Sequence, residues 1–145
     1  MAGRLDNDRI DFLKKDFSRG FIEYCGFKTV DIKEGRVESS LEVADHHRQQ
    51  DGFVHAGVMA AMADHTAGYA GFTTVDDDRR ILTVEFKINF LRPALAQKLT
   101  CIAQVIRPGR NLIVAEAEVY DMREEGPALC AKAMMTQAAV EISHA

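Results

Sequence analysis

The sequence predicts an α+β protein in which an antiparallel sheet packs against one long helix, and two observations carry that prediction. Residues 57–72 are small or apolar almost throughout. The run is long enough for about four helical turns and apolar on nearly every side, as a core helix is. Around it lie stretches of period-two alternation joined by Gly- and Pro-containing turns. They lack the strand–helix rhythm of a parallel sheet. At 145 residues, without linkers, repeats or low-complexity tracts, the chain reads as a single domain over 1–145.

Taken in order, Ile10, Leu13 and Phe17 recur at helical spacing between the capping cluster Asp6, Asn7, Asp8 and Gly20, which predicts a short amphipathic helix. The run 27–43 divides at Glu34 and Gly35 into a hairpin, its second arm alternating Val37, Ser39, Leu41 and Val43 with polar residues. Polar, His-rich 45–52 is a loop that feeds the central helix. After Asp76, Asp77 and Asp78, the alternation of Leu82, Val84, Phe86, Ile88 and Phe90 predicts a long strand with its even face on the core, ended by Pro93. Three more strands follow over 98–107, 112–120 and 129–140, separated by turns at Pro108, Gly109 and at Gly126, Pro127.

Composition narrows the function classes. Net charge is −4, Lys and Arg are scattered, and there is no Trp or basic aromatic cluster, which argues against nucleic acid. The charged first twenty residues and the lack of any span-length apolar run predict a cytoplasmic protein without membrane association. Cys25, Cys101 and Cys130 are odd in number and widely spaced, as reduced core thiols are. His46, His47, His55 and His65 lack the spacing and companion ligands of a metal set, so no metal is expected.

Asp64 is the residue that points to chemistry. A carboxylate in an oily helix must be neutralised, hydrogen-bonded or useful. It could equally be a structural group held by Thr66, Thr83 or a backbone N–H. Upstream, Gln49 is followed after five residues by His55, Ala56 and Gly57. Downstream, 82–94 ends in Arg92, Pro93, Ala94, and Arg107 and Arg110 flank Gly109. Together these segments resemble the hotdog-fold acyl-CoA thioesterases, most closely the phenylacetate-pathway (PaaI-like) branch, over nearly the whole chain. The family signature is Asn or Gln, five residues, then His-Gly-Gly, with an acidic residue in the helix; Ala56 replaces its first Gly.

The resemblance implies a hotdog fold: an antiparallel sheet of five to six strands wrapped around one long central helix, with a short N-terminal helix. It implies homodimers or dimers of dimers with active sites between protomers, and a substrate, coenzyme A included, without further cofactor. Asp64 falls on the catalytic carboxylate, Gln49 on the amide that contacts the thioester carbonyl or water, and Thr83 on the hydroxyl supporting the carboxylate. His55 and Ala56 fall on the pair whose second N–H contacts the oxyanion. Ala56 can supply that N–H unless the backbone there needs positive φ.

Elementary chemistry assigns compatible roles. Thioester hydrolysis needs an activated oxygen nucleophile and a stabilised oxyanion. Helix N-terminal amides around Ala56 and Gly57 suit the second need, and Gly57 allows close approach. Asp64 lies about 10 Å further along the helix, too far to share a carbonyl with its own N-terminus, so the expectation is a site completed by an antiparallel neighbour. It would act as general base or as nucleophile.

Simpler readings stand beside these. His55 more often orients a loop than moves protons, Gln49 reads equally as an exposed loop amide, and Thr83 suits a strand on β propensity alone. Val58, Met62, His65, Tyr69 and Phe72 share one helix face and read as core. Arg92, Arg107 and Arg110 are candidates for coenzyme A phosphates. The expected activity is hydrolysis of aryl-acetyl or medium- to long-chain acyl-CoA. The alternatives are an enoyl-thioester hydratase or dehydratase of the same fold, and a non-catalytic acyl-thioester binding protein.

Overall fold

The computed structural model describes residues 5–142; residues 1–4 and 143–145, the ends of the predicted domain and the start of the charged N-terminal tract, lie outside the described residues. Helix α1 spans Asn7–Phe17, capped by the Asp6 carboxylate on the Arg9 N–H. A second short helix, α2 (Phe21–Cys25), was not legible in the sequence. It is bracketed by Gly20 and Gly26, both at positive φ, which separate it from α1 and from the first strand. Strands β1 (Lys28–Lys33) and β2 (Arg36–Glu42) form the predicted hairpin. A single 3₁₀ turn at Asp45–His47 precedes α3 (Ala56–Phe72). Strands β3 (Arg79–Phe90), β4 (Lys98–Pro108), β5 (Leu112–Arg123) and β6 (Gly126–Glu141) complete one antiparallel sheet in the order β1-β2-β4-β5-β6-β3.

Helix α3 packs on every strand from β2 to β6. Small residues on both surfaces let it lie close: Ala63, Ala67 and Ala70 on the helix meet an inner sheet face that includes Ala103, Ala115, Ala117, Ala131 and Ala133, all buried. The one hydroxyl pair in this layer is satisfied, Thr66 donating to the Met62 carbonyl and pairing with Ser39 at 2.7 Å. Phe17 of α1 closes one flank of α3, edge-on to His65 and Tyr69.

Strand β3 departs from its predicted register. Pairing with β6 slips between Thr83 and Glu85, which leaves Val84 as an extra residue. Before this bulge, Ile81 and Thr83 pair with the buried Ala139 and Gln137 on the helix side; after it, Phe86, Ile88 and Phe90 pair with Met135, Ala133 and Ala131. One inserted residue therefore exchanges the two faces of the strand. Leu82 and Val84, expected in the core, are 57% and 58% exposed, and Thr83, expected on the polar face, turns toward α3. Because β3 is a sheet edge, even inward-facing Phe86 and Phe90 stay partly open, at 38% and 46%.

Candidate active site

The start of α3 is built by a short loop. His47 accepts the Ala44 N–H at Nδ1, donates from Nε2 to the Cys25 carbonyl, and accepts the His55 N–H on its own carbonyl. Gln49 and Gly52 close a tight turn whose arms meet in an Arg48–Val54 bridge. The Val54 N–H then binds the Ala94 carbonyl, which ties this loop to the segment after β3.

His55 is the helix N-cap, and its Nδ1 accepts the Gly57 N–H at 2.8 Å. The neutral ring therefore carries its proton on Nε2. A Cβ at position 57 would lie 3.0 Å from that Nδ1, so glycine there makes room for the imidazole. The sequence assigned Gly57 to the ligand; its N–H is instead engaged by His55. The Val58 N–H bonds the His55 carbonyl. Among the first three amides of the helix, only that of Ala56 has no acceptor among the described residues. No non-glycine residue among the described residues has positive φ, so alanine holds this position without strain.

Ala56 lines a cleft of about 500 Å³ together with Gln49, His55, Met59, Phe90 and Arg92, among others. The Gln49 Oε1 is held by the Asp51 N–H, which leaves its NH₂ group to donate. Arg92 donates one nitrogen to the Leu129 carbonyl.

Asp64 lies elsewhere, eight residues along α3 and so about 12 Å from the Ala56 end. It is only partly buried in this chain. The Thr83 hydroxyl donates to its Oδ1 at 2.6 Å, and its Oδ2 meets no donor among the described residues. Thr66 is committed to Ser39 and Met62. The predicted residues thus fall into two groups on one chain: Gln49, His55, Ala56, Gly57 and Arg92 at the helix start, and Asp64 with Thr83 at its middle. Arg107 and Arg110 belong to neither. They flank the β4–β5 turn, and Arg110 lines a polar hollow beside Thr74 and Val75, past the C-terminal end of α3.

Asp121 and Gln137, both buried and polar, escaped the sequence reading. Asp121 is fully buried, accepts the Leu95 and Ala96 N–H groups and pairs with Arg123 at 2.9 Å; Arg123 in turn donates to the Pro93 carbonyl. This cluster pins the 93–97 segment that receives Val54. The signal was present, since 121 continues the apolar register 113, 115, 117, 119. The other, Gln137, is fully buried on β6 with neither side-chain polar atom paired among the described residues.

Of the ionisable groups, burial lowers the His65 pKa, against partial opposition from its hydrogen bond to the Phe17 carbonyl and from the Asp64 and Asp16 charges. Burial holds the Cys101 and Cys130 thiols up at about 12 and about 11, so both are neutral core groups. No helix among the described residues is long and apolar enough to cross a membrane, and no cluster of three metal-binding side chains occurs among them.

Known proteins resemble this chain in sequence and fold. The family model of the thioesterase superfamily matches residues 51–128. A 1,4-dihydroxy-2-naphthoyl-CoA hydrolase from Listeria monocytogenes is 27% identical over 106 residues, 73% of this chain and 86% of that protein. A putative esterase from Saccharolobus solfataricus is 36% identical over 113 residues, 78% of this chain and 73% of its own. The crystal structure of a thioesterase family protein from Silicibacter pomeroyi superposes with a TM-score of 0.88 at 32% identity, covering 92% of this chain and 98% of that one. With the helix wrapped by its antiparallel sheet and the match spanning the helix start and the carboxylate, the chain belongs to the thioesterase superfamily, as a hotdog-fold thioester hydrolase.

Proposed function

We propose that this enzyme hydrolyses acyl-CoA thioesters, of the aryl-acetyl or medium- to long-chain acyl type, in sites shared between two antiparallel copies of the chain. The observation that carries the reading is the separation of the one free helix-start amide from the one unclaimed carboxylate oxygen on a single rigid helix. Edge strand β3 supports a twofold pairing, because its backbone edge is open and Leu82, Val84, Phe86 and Phe90 are exposed. An axis near Phe86 and Lys87 sets Phe90, on the cleft wall, opposite the partner's Thr83. The amide of one subunit then faces the Asp64 of the partner subunit.

In that arrangement the Ala56 N–H, at the positive end of the helix dipole, binds the oxygen that becomes negative as the thioester is attacked. Gln49 donates to the carbonyl or orients the water. Asp64, steadied at one oxygen by Thr83, either takes a proton from water or attacks the carbonyl to form a mixed anhydride. Incorporation of oxygen-18 into the enzyme during a single turnover separates the two routes. His55 shapes the helix start through its cap and moves no proton. Arg92 meets coenzyme A phosphates at the cleft, joined from the partner by Arg107 and Arg110. A relative that is a 1,4-dihydroxy-2-naphthoyl-CoA hydrolase supports an acyl-CoA substrate.

Subunit complementation tests the composite site. Asp64→Asn and Ala56→Pro are each expected to lose at least about a hundredfold in thiol release from acyl-CoA. Unfolded together and refolded as a mixture, they should regain about a quarter of wild-type activity, since half the dimers then carry one intact site of two. No regain from mixed dimers would mean that each site is built within one chain. Hydration of crotonyl-CoA without thiol release would favour the hydratase reading, and acyl-CoA binding without turnover the non-catalytic one.

A further inference from the structure

The turn that carries Gln49 into the cleft is held mostly by itself. Arg48 and Val54 bridge its arms, the Gln49 N–H donates to the Phe53 carbonyl, and the Gly52 N–H donates to the Gln49 carbonyl. The Asp51 N–H donates to Gln49 Oε1. All of these contacts close within residues 48–54. At the base of the turn, the Val54 N–H reaches out to the Ala94 carbonyl. At its far side, the hydrogen-bonded link to the body among the described residues is the Arg48 guanidinium. Its Nη1 donates to the Gly52 carbonyl at 3.0 Å and to the Leu95 carbonyl at 3.4 Å, and its Nη2 donates to the Ala96 carbonyl at 3.2 Å.

The segment that Arg48 grips is fixed from its other side. Arg123 donates to the Pro93 carbonyl, Asp121 accepts the Leu95 and Ala96 N–H groups, and the Val43 N–H donates to the Gln97 carbonyl. The 93–97 backbone is therefore a firm anchor for the turn. The two arginines differ in one respect. Arg123 is paired with buried Asp121, whereas half-buried Arg48 has no carboxylate within ion-pair distance among the described residues. What Arg48 brings to three carbonyls is geometry: its donors lie in one planar fork that reaches the turn and the anchor at once. Two of its three contacts are exposed, where water can take the place of a lost donor, so the clamp adds little to overall stability.

We propose that Arg48 is a positioning residue for the hydrolysis: by clamping the Gly52 side of the turn to the 95–96 backbone, it fixes where the Gln49 NH₂ group points in the cleft. Because Gln49 Oε1 is held inside the turn, this side chain moves with the turn as one piece. Without the clamp the turn can swing about its base at Val54. A displacement of about 1 Å at a donor costs up to about a hundredfold in rate. The loss falls on kcat, because a donor aimed at developing charge binds the transition state more strongly than the ground state. The inference rests on Gln49 being the group that meets the thioester carbonyl or the water.

The test measures thiol release from phenylacetyl-CoA and octanoyl-CoA, with kcat and KM resolved, for wild type, Arg48→Met, Gln49→Ala and the double variant. Arg48→Met keeps the aliphatic stem and removes the donors. It should lower kcat about tenfold or more, leave KM within about twofold, and move the thermal midpoint by less than about 5 °C. In the Gln49→Ala background the same substitution should change kcat by less than about twofold, because the group it positions is gone. Arg48→Lys, which keeps the charge without the planar fork, should fall between wild type and Arg48→Met, and it repeats the comparison should methionine fail to fold. Wild-type kcat in Arg48→Met, or an equal loss with and without Gln49, overturns the positioning role alone. A rise in KM at unchanged kcat gives the guanidinium to the substrate and also overturns it. If Gln49→Ala turns over like wild type, the role of Gln49 fails and this inference with it. Absence of release from both substrates by wild type overturns the acyl-CoA reading and the inference together.

Discussion

Replacing Ala56 by proline deletes one proton donor and little else. Ala56 is the first residue of α3, where proline is well tolerated and its fixed φ is already helical. His55, the preceding residue, has φ −61° and ψ 136°, inside the region that a following proline permits. The Ala56 N–H has no partner among the described residues to lose, and both neighbouring contacts, Gly57 to the His55 ring and Val58 to the His55 carbonyl, are made by other amides. Stability should therefore change by no more than about 1 kcal/mol. Turnover is another matter. Loss of one oxyanion donor costs about a hundred- to a thousandfold in kcat, or about 3–4 kcal/mol of transition-state stabilisation.

The assay is steady-state thiol release, with kcat and KM separated and a urea melt run in parallel. Ala56→Val adds comparable bulk while keeping the N–H, so it distinguishes crowding from the missing donor. A folded Ala56→Pro enzyme turning over within about threefold of wild type would refute the assignment of the oxyanion contact to this amide.

Other substitutions probe the neighbouring contacts. Thr83→Val should lower kcat by about tenfold to a hundredfold with little effect on KM, because a hydrogen bond to a charged oxygen is lost without a change of shape; initial rates across substrate concentration check it. Asp121→Asn should cost about 3 kcal/mol in a denaturant melt, since it leaves Arg123 and two loop amides facing a neutral group. Wild-type stability should fall as pH drops below 6.5, because burial depresses the folded His65 pKa and the unfolded chain then binds the extra proton first. The contribution is intact above 6.5 and fully lost below the depressed folded value. His65→Gln, which keeps a donor for the Phe17 carbonyl, should flatten that part of the profile in urea midpoints measured between about pH 5 and pH 8.

The helix, the hairpins and the residues at both halves of the site were legible because each rests on local chemistry. Alternation marks strands, small apolar residues mark a core helix, and a carboxylate among them is conspicuous wherever the helix packs. The spacing of Gln49, His55, Ala56 and Asp64 was sufficient to name candidates. It was not sufficient to rank the amides of Ala56 and Gly57, since that ranking turns on where the His55 ring points.

What the sequence determined by itself was an α+β chain with one long core helix, antiparallel strands and an acid placed too far from its own helix start to act there. Only the tertiary structure decided which amide stays free, that Thr83 rather than Thr66 holds Asp64, and that Leu82 leaves the core. It also revealed Asp121 and Gln137. The physical reason is common to all of these: each depends on partners distant in sequence, and in β3 one extra residue at Val84 reverses a face assignment that period-two alternation alone cannot detect.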